Sequence, residues 1–222
     1  MLFRSGYEPT AGGTWRLFYA DDCNAYLIRD SIGTQKLSDY CSSYTTISDL
    51  GKNLNREYTN KQTWNMSNAN AKAVAYLTDT SVWNTNYKTN DASWAIGAPL
   101  LEMFIASYNA THTKQIQYQS TTNYPGYKLK VSTDNDFGTE IRSLGKTSDL
   151  DKAVYCGSEN SYWLSSPNSY NNEHVGFVNT SYGALFANGG LYNNTYSLRP
   201  VVSIPITLIG SGITITDSYG IE

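Results

Sequence analysis

Charge is scarce in this sequence. Asp, Glu, Lys and Arg make up 16% of 222 residues, and 19 acidic against 16 basic side chains leave a formal charge of −3. No cluster of Lys and Arg stands ready to neutralise a run of phosphates, which argues against nucleic acid as a partner. Histidine is reduced to His112 and His174, and no HExxH, CxxC or GxSxG string occurs, so the motifs of zinc peptidases, dithiol redox centres and serine hydrolases are missing. The GSG and NGG pieces lack the Lys and the spacing of a phosphate loop. Cys23, Cys41 and Cys156 are odd in number and far apart; they make neither a disulfide framework nor a metal knuckle, and at least one thiol is free. No run approaches the roughly 18 apolar residues of a membrane span. The first residues, MLFRSGYEPTAGGTW, lack the apolar stretch of a signal peptide, which leaves localisation open.

What fills the space is uncharged and polar. The chain holds 21 Asn, 24 Ser, 23 Thr and 19 Tyr, together 87 positions, giving a surface of amides, hydroxyls and phenols suited to hydrogen bonding and aromatic contact. Four Asn-X-Ser/Thr strings, at Asn65, Asn109, Asn179 and Asn193, are nearly inevitable in this composition and say little about glycosylation.

The length suits one domain with long loops. TWRLFYA and NAYLIRD predict a hairpin that places Trp15, Leu17, Tyr19, Tyr26 and Ile28 inward, with Asp21 and Asp22 as turn formers. Ile47, Leu50, Leu54 and Tyr58 have helical spacing over 45–58 despite Gly51. A second helix is expected over about 68–78, capped by Ser67, with Asn70 or Lys72 facing water. A third begins near Pro99 and is rich enough in apolar residues to be deeply buried. Trp83 and Trp94 read first as loop anchors and second as stacking surfaces for carbohydrate. YKLKVS predicts a strand, and Ser148 to Asp151 matches a capping box. In DNDFGTE, Asp134, Asp136 and Glu140 read first as a surface turn and second as oxygen ligands for a hard cation, although not at EF-hand spacing. The final third, with YWLSSP, HVGFVN, GALFAN and RPVVSIPITLI separated by turn residues, has the grammar of an antiparallel meander. The expected class is α+β, with early helices and a late meander. Pro205 and Gly210 place part of the C-terminal strand-like segment at an edge or away from the main body, as a hairpin or an assembly arm.

From Asn160 to Ser197 there are eight Asn, five Tyr and six Ser, and Glu173 is the one fully charged side chain. Tyr170, Asn171, Asn172, Tyr182, Asn188, Tyr192, Asn193 and Tyr196 are the candidate ligand-binding residues, since Tyr supplies aromatic area at low entropic cost and Asn supplies donors and acceptors. The same residues would also serve to fill turns and satisfy a sheet rim without any ligand.

YWLSSP followed by YSLRPVVSI resembles a widespread family of uncharacterised bacterial and prophage domains that pairs a YWLxSP-like string with a GxRPxV string. NAKAVAYLTDTSVW, AIGAPLLEMFIASYN and YKLKVSTD also resemble it, extending the likeness over residues 14–205. It implies a C-type-lectin-like or formylglycine-generating-enzyme-like domain over 1–205, with 206–222 as a terminal hairpin or arm. On this view Trp163 and Leu164 begin a core strand, Arg199 orders the end of the variable-like surface through hydrogen bonds, and Pro200 to Ile204 re-enter the core. Trp163, Arg199 and Pro200 are thus structural. The paired cysteines of a copper-dependent oxidase have no match here. The resulting expectation is a non-enzymatic structural protein of a virion or extracellular surface, with no catalytic residues, metal or cofactor and no membrane insertion. Its partners would be other virion or surface proteins, a cell-surface glycan or protein, and further copies of itself. A carbohydrate-active or sulfatase-modifying-like enzyme is the alternative from another class, and a pure assembly scaffold is the third.

Overall fold

A computed structural model describes residues 15–29, 33–82, 95–120, 127–142, 144, 161–167, 171–208, 215–217 and 220–221. The α+β class is present, with helices concentrated in the first half and a mixed, largely antiparallel sheet later. The strands are not confined to the late region, however. β1 (Trp15–Ala20) and β2 (Asn24–Arg29) precede every described helix and form the expected hairpin.

The hairpin turn is built by Asp21. Its Oδ1 accepts the amides of Cys23 and Asn24 at 2.9 and 2.8 Å, and its Oδ2 accepts the Tyr26 hydroxyl at 2.9 Å. The simple alternation expected for β1 fails at a register shift between Leu17 and Tyr19. Leu17 packs into one hydrophobic cluster while the adjacent Phe18 packs into another, because the sheet is covered on both faces. A bulge of this kind re-aims side chains without ending the strand.

β12 (Val201–Pro205) pairs with β2 and with β4 (Ala95–Gly97), giving a four-stranded sheet in the order β1-β2-β12-β4. Its C-terminal Pro205 lies opposite Asn24, at the end of an internal strand. Val201 enters one cluster and Val202 and Ile204 the other, so the core re-entry expected after Pro200 is present.

The larger sheet has the order β3-β11-β8-β9-β10-β7. Its centre is the meander β8 (Tyr162–Pro167), β9 (His174–Asn179) and β10 (Ala184–Leu191). β7 (Glu140–Ile141) closes one edge. At the other, β11 (Thr195–Ser197) runs parallel to β8 and antiparallel to β3 (Thr34–Lys36).

Helices cover the two sides. The single helix expected over 45–58 is divided into α2 (Asp49–Leu54) and α3 (Arg56–Lys61). The break falls at Asn55, whose buried amide donates to the carbonyls of Gly51 and Ser165 at 3.0 and 3.1 Å. Gly51 is required by close approach, since a Cβ there would stand 2.6 Å from the Thr78 hydroxyl. α4 (Ala69–Leu77) packs with α1 (Ser38–Cys41) on the side of Leu37, Cys41 and Trp163. Asn70 is buried rather than water-facing, and Ser67 does not cap. The carbonyl of Asn172 satisfies the Asn70 amide at 2.8 Å instead. α5 (Leu101–Thr111) lies on the other side with β5 (Ile116–Ser120) and β6 (Tyr127–Val131), and buries Leu101, Met103, Phe104, Ile105 and Tyr108 as expected. Residues 215–221 contain a two-stranded antiparallel ribbon, β13 (Ile215–Asp217) with β14 (Gly220–Ile221). Trp83, Trp94, Cys156, Gly210 and the Ser148–Asp151 segment lie outside the described residues.

Candidate functional site

The YWLSSP string is a structural hub. Trp163 is fully buried and its indole donates to the Gln35 carbonyl at 3.0 Å. Ser165 donates to the Ala98 carbonyl at 2.8 Å, and the Ser166 hydroxyl accepts the Leu101 amide at 3.0 Å, capping the start of α5 from a distant strand. Arg199, also buried, donates through Nε to the Arg29 carbonyl at 3.0 Å and sets its guanidinium 5.0 Å from the Tyr162 ring centre. The Pro200 carbonyl receives the Arg29 amide at 3.0 Å. Trp163 thus ties β8 to β3, and Arg199 and Pro200, just before β12, tie that strand's start to β2 and β8.

The polar late segment is divided between the two ends of the β9–β10 hairpin. Tyr182 lies in the β9–β10 turn, 66% exposed, with its amide held by the Asn179 side chain at 3.1 Å. At the opposite end, Asn171 and Asn172 precede β9, and Tyr192 and Asn193 follow β10. With six residues in β9, the ends are separated by roughly 20 Å, so the candidate residues do not form one face. Tyr196 is half-buried, stacked on Phe177 at 4.8 Å and tilted against Trp163 at 4.6 Å, and so works as packing. Tyr170 and the Asn188 side chain lie outside the described residues.

The second end forms a continuous rim. The Asn171 carboxamide oxygen accepts the Glu173 amide at 2.8 Å, and the Glu173 carbonyl accepts the Tyr192 amide at 2.9 Å. The Tyr192 carbonyl in turn accepts the Ser38 amide at 3.0 Å, at the start of α1. Two residues further on, Tyr40 is 49% exposed and stacks on Tyr76 at 5.6 Å. Asn172 and Asn193 are exposed, whereas Asn171 and Tyr192 are half-exposed. Backbone hydrogen bonds thus fix a rim that exposes the amides of Asn172 and Asn193 and the Tyr40 phenol beside the carboxylates of Glu173 and Asp39. Tyr40 was not singled out by the sequence, because its place beside the late turns depends on a contact between distant segments.

A cleft of about 270 Å³ opens on the other side, among Tyr19, Asp21, Tyr26, Arg56, Glu102 and Tyr118. The Glu102 carboxylate accepts the Tyr127 hydroxyl at 2.6 Å and the Glu57 amide at 2.9 Å through Oε1; Oε2 accepts the Tyr118 hydroxyl at 3.4 Å. Burial raises the Glu102 pKa, against the opposing pull of these donors. For Asp21 the balance is reversed. Burial would raise it, but the hydrogen bonds from Cys23, Asn24 and Tyr26 together hold its carboxyl below the usual range. Burial and the Asp21 carboxylate push Tyr26 up to about 12. A lone acid inside the apolar run LLEMFIASY was the available signal for Glu102; its Tyr partners come from β5 and β6 and carried none.

Among the described residues, no group of three or more His, Cys, Asp and Glu is placed to hold a metal, and no helix is long and apolar enough to cross a membrane. Asp134 instead shapes the turn after β6 by accepting the Val131 amide at 3.3 Å, and Glu140 pairs with Arg142 at 2.8 Å. His112 stacks on Tyr108 at 3.9 Å at the end of α5, and His174 is buried in β9. Cys23 is an exposed free thiol and Cys41 a buried one.

Comparison with known proteins gave no match. No protein-family model, curated protein or solved structure resembles the chain closely enough to count.

Proposed function

We propose that this chain is a non-enzymatic recognition domain of a virion or extracellular surface, with a C-type-lectin-like arrangement over 1–205, that uses its Asn/Tyr turns to contact a cell-surface glycan or protein. The observation that carries this reading is the rim in which turns 171–173 and 192–194 are tied to each other and to α1 and α4 by backbone hydrogen bonds. Side chains held on a fixed backbone lose less entropy on binding than those of a mobile loop. The YWLSSP and LRPVVSI strings supply the setting through their resemblance to prophage domains, together with the expected partnership with other surface proteins or further copies.

The test is retention of the full chain on arrays of glycans and of cell-surface proteins. Wild-type protein retains at least one ligand, and Tyr40→Ala/Asn193→Ala loses it about tenfold or more. Equal retention by both proteins, or retention by neither, overturns the reading and leaves a scaffold whose rim is covered by a symmetry mate or another particle protein.

The cleft favours a second reading, a carbohydrate-active or sulfatase-modifying-like enzyme, because two carboxylates, Asp21 and Glu102, line one opening with their pKa values pushed in opposite directions. That reading predicts turnover of a panel of chromogenic glycosides, abolished in Glu102→Gln.

A further inference from the structure

We propose that the cleft between the β1–β2 hairpin and α5 is a binding subsite for one neutral saccharide ring, separate from the rim and on the opposite side of the molecule's core. The cleft lies with the hydrophobic cluster containing Phe104 and Tyr127, whereas Tyr192 packs against the cluster containing Trp163. This goes beyond the rim reading and does not depend on it.

The inference rests on how the polar groups are already committed. Tyr26 donates its proton to Asp21, and Tyr118 donates to Glu102. The Tyr118 oxygen therefore keeps a lone pair for an incoming hydroxyl, whereas the Tyr26 oxygen also interacts with the Asn24 side chain. Glu102 Oε2 has the 3.4 Å Tyr118 contact as its hydrogen bond and retains capacity to accept another. Arg56 lines the same cleft with an exposed side chain whose charge reaches the Tyr19 and Tyr118 phenols. It offers planar donors. Tyr19 and Tyr26 lie 5.5 Å apart at a 32° tilt, presenting aromatic surface on the same side. A pyranose matches this set, since its hydroxyls donate and accept while its C–H face packs on an aromatic ring.

Other ligand classes fit less well. Two carboxylates oppose a phosphate or sulfate. A cation would find one carboxylate oxygen with spare capacity, Glu102 Oε2, because Asp21 Oδ1 and Oδ2 and Glu102 Oε1 are engaged by short bonds from amides and phenols. An apolar ligand would strand these polar groups away from water. The volume of about 270 Å³ falls just below the ~300–1,000 Å³ of sites for drug-sized molecules, which suits one ring of a longer chain. The walls come from the hairpin, α2, α3, α5 and β5, and their hydrogen bonds fix the site before the ligand arrives.

The test uses the full chain on a glycan array, followed by titration with the free monosaccharide that forms the retained terminus. Tyr118→Phe removes one hydroxyl and Arg56→Ala one exposed side chain; thermal unfolding alongside wild type confirms that both variants fold. The expected result is retention of a glycan class by wild type, weakened about tenfold in each cleft variant and unchanged in Lys128→Ala, an exposed β6 position outside both the cleft and the rim. Failure of wild type to retain any glycan overturns the proposal, as does retention that the cleft variants leave unchanged. Loss of every retained glycan in Tyr40→Ala/Asn193→Ala, with the cleft variants unchanged, overturns the cleft and supports the rim.

Discussion

Gly190 stands where β10 passes over the indole of Trp163. A Cβ at this position would lie 2.5 Å from Trp163 Cζ3 and 3.1 Å from Tyr196 Cε2. Trp163 is buried and held by its bond to Gln35, so it has little freedom to retreat. Gly190→Ala is therefore expected to cost about 1–3 kcal/mol by overpacking, read as a lower denaturant midpoint at unchanged slope. Asp21 makes a pH-dependent contribution. Its folded pKa lies below the usual range, so the stability it adds is present above the ordinary Asp pKa and is lost as pH falls through the folded value. The stability difference between wild type and Asp21→Asn should shrink on acidification from about pH 7 to about pH 2.5. A constant difference would assign the effect to turn geometry. Glu102 has the opposite sign. Its raised pKa makes the fold less stable as pH climbs from the ordinary Glu value through the raised one, and Glu102→Gln should remove that dependence.

Among the elements, α5 shows how local and distant information divide. Its existence and burial follow from the apolar run after Pro99, but its first turn is completed by Ser166 in a strand 65 residues away. Ser166→Ala should cost about 1–3 kcal/mol because a buried amide loses its acceptor, as measured by chemical denaturation. The β1–β2 hairpin was legible because Asp21 acts on its own neighbours. The break between α2 and α3 was not, since Asn55 is fixed by the carbonyl of Ser165; nor was the burial of Asn70, which docks under the turn at 171–173. In each case a polar side chain or amide is satisfied across the fold, and spacing along the chain carries no trace of that partner. The candidate residues show the same limit. Composition located the polar turns, but only strand pairing divides Tyr182 from Tyr192 and brings Tyr40 beside the latter.

For the whole molecule, the scarcity of charge becomes a statement about one surface. β8 is buried at every position, and β9 is buried at all but Asn179, so the uncharged polar character of the late segment is concentrated at the hairpin ends. A ligand held by Tyr40, Asn172 and Asn193 would engage chiefly phenols and amides. Its binding would depend little on ionic strength, unlike association through long-range charge. The central claim is tested most directly by measuring retention of the full chain on its array ligand at low and near-molar salt. For an array ligand whose retention Tyr118→Phe leaves unchanged, the account predicts equal retention at both, abolished by Tyr40→Ala/Asn193→Ala; a steep fall with salt, or retention of that ligand that survives the double substitution, would contradict it.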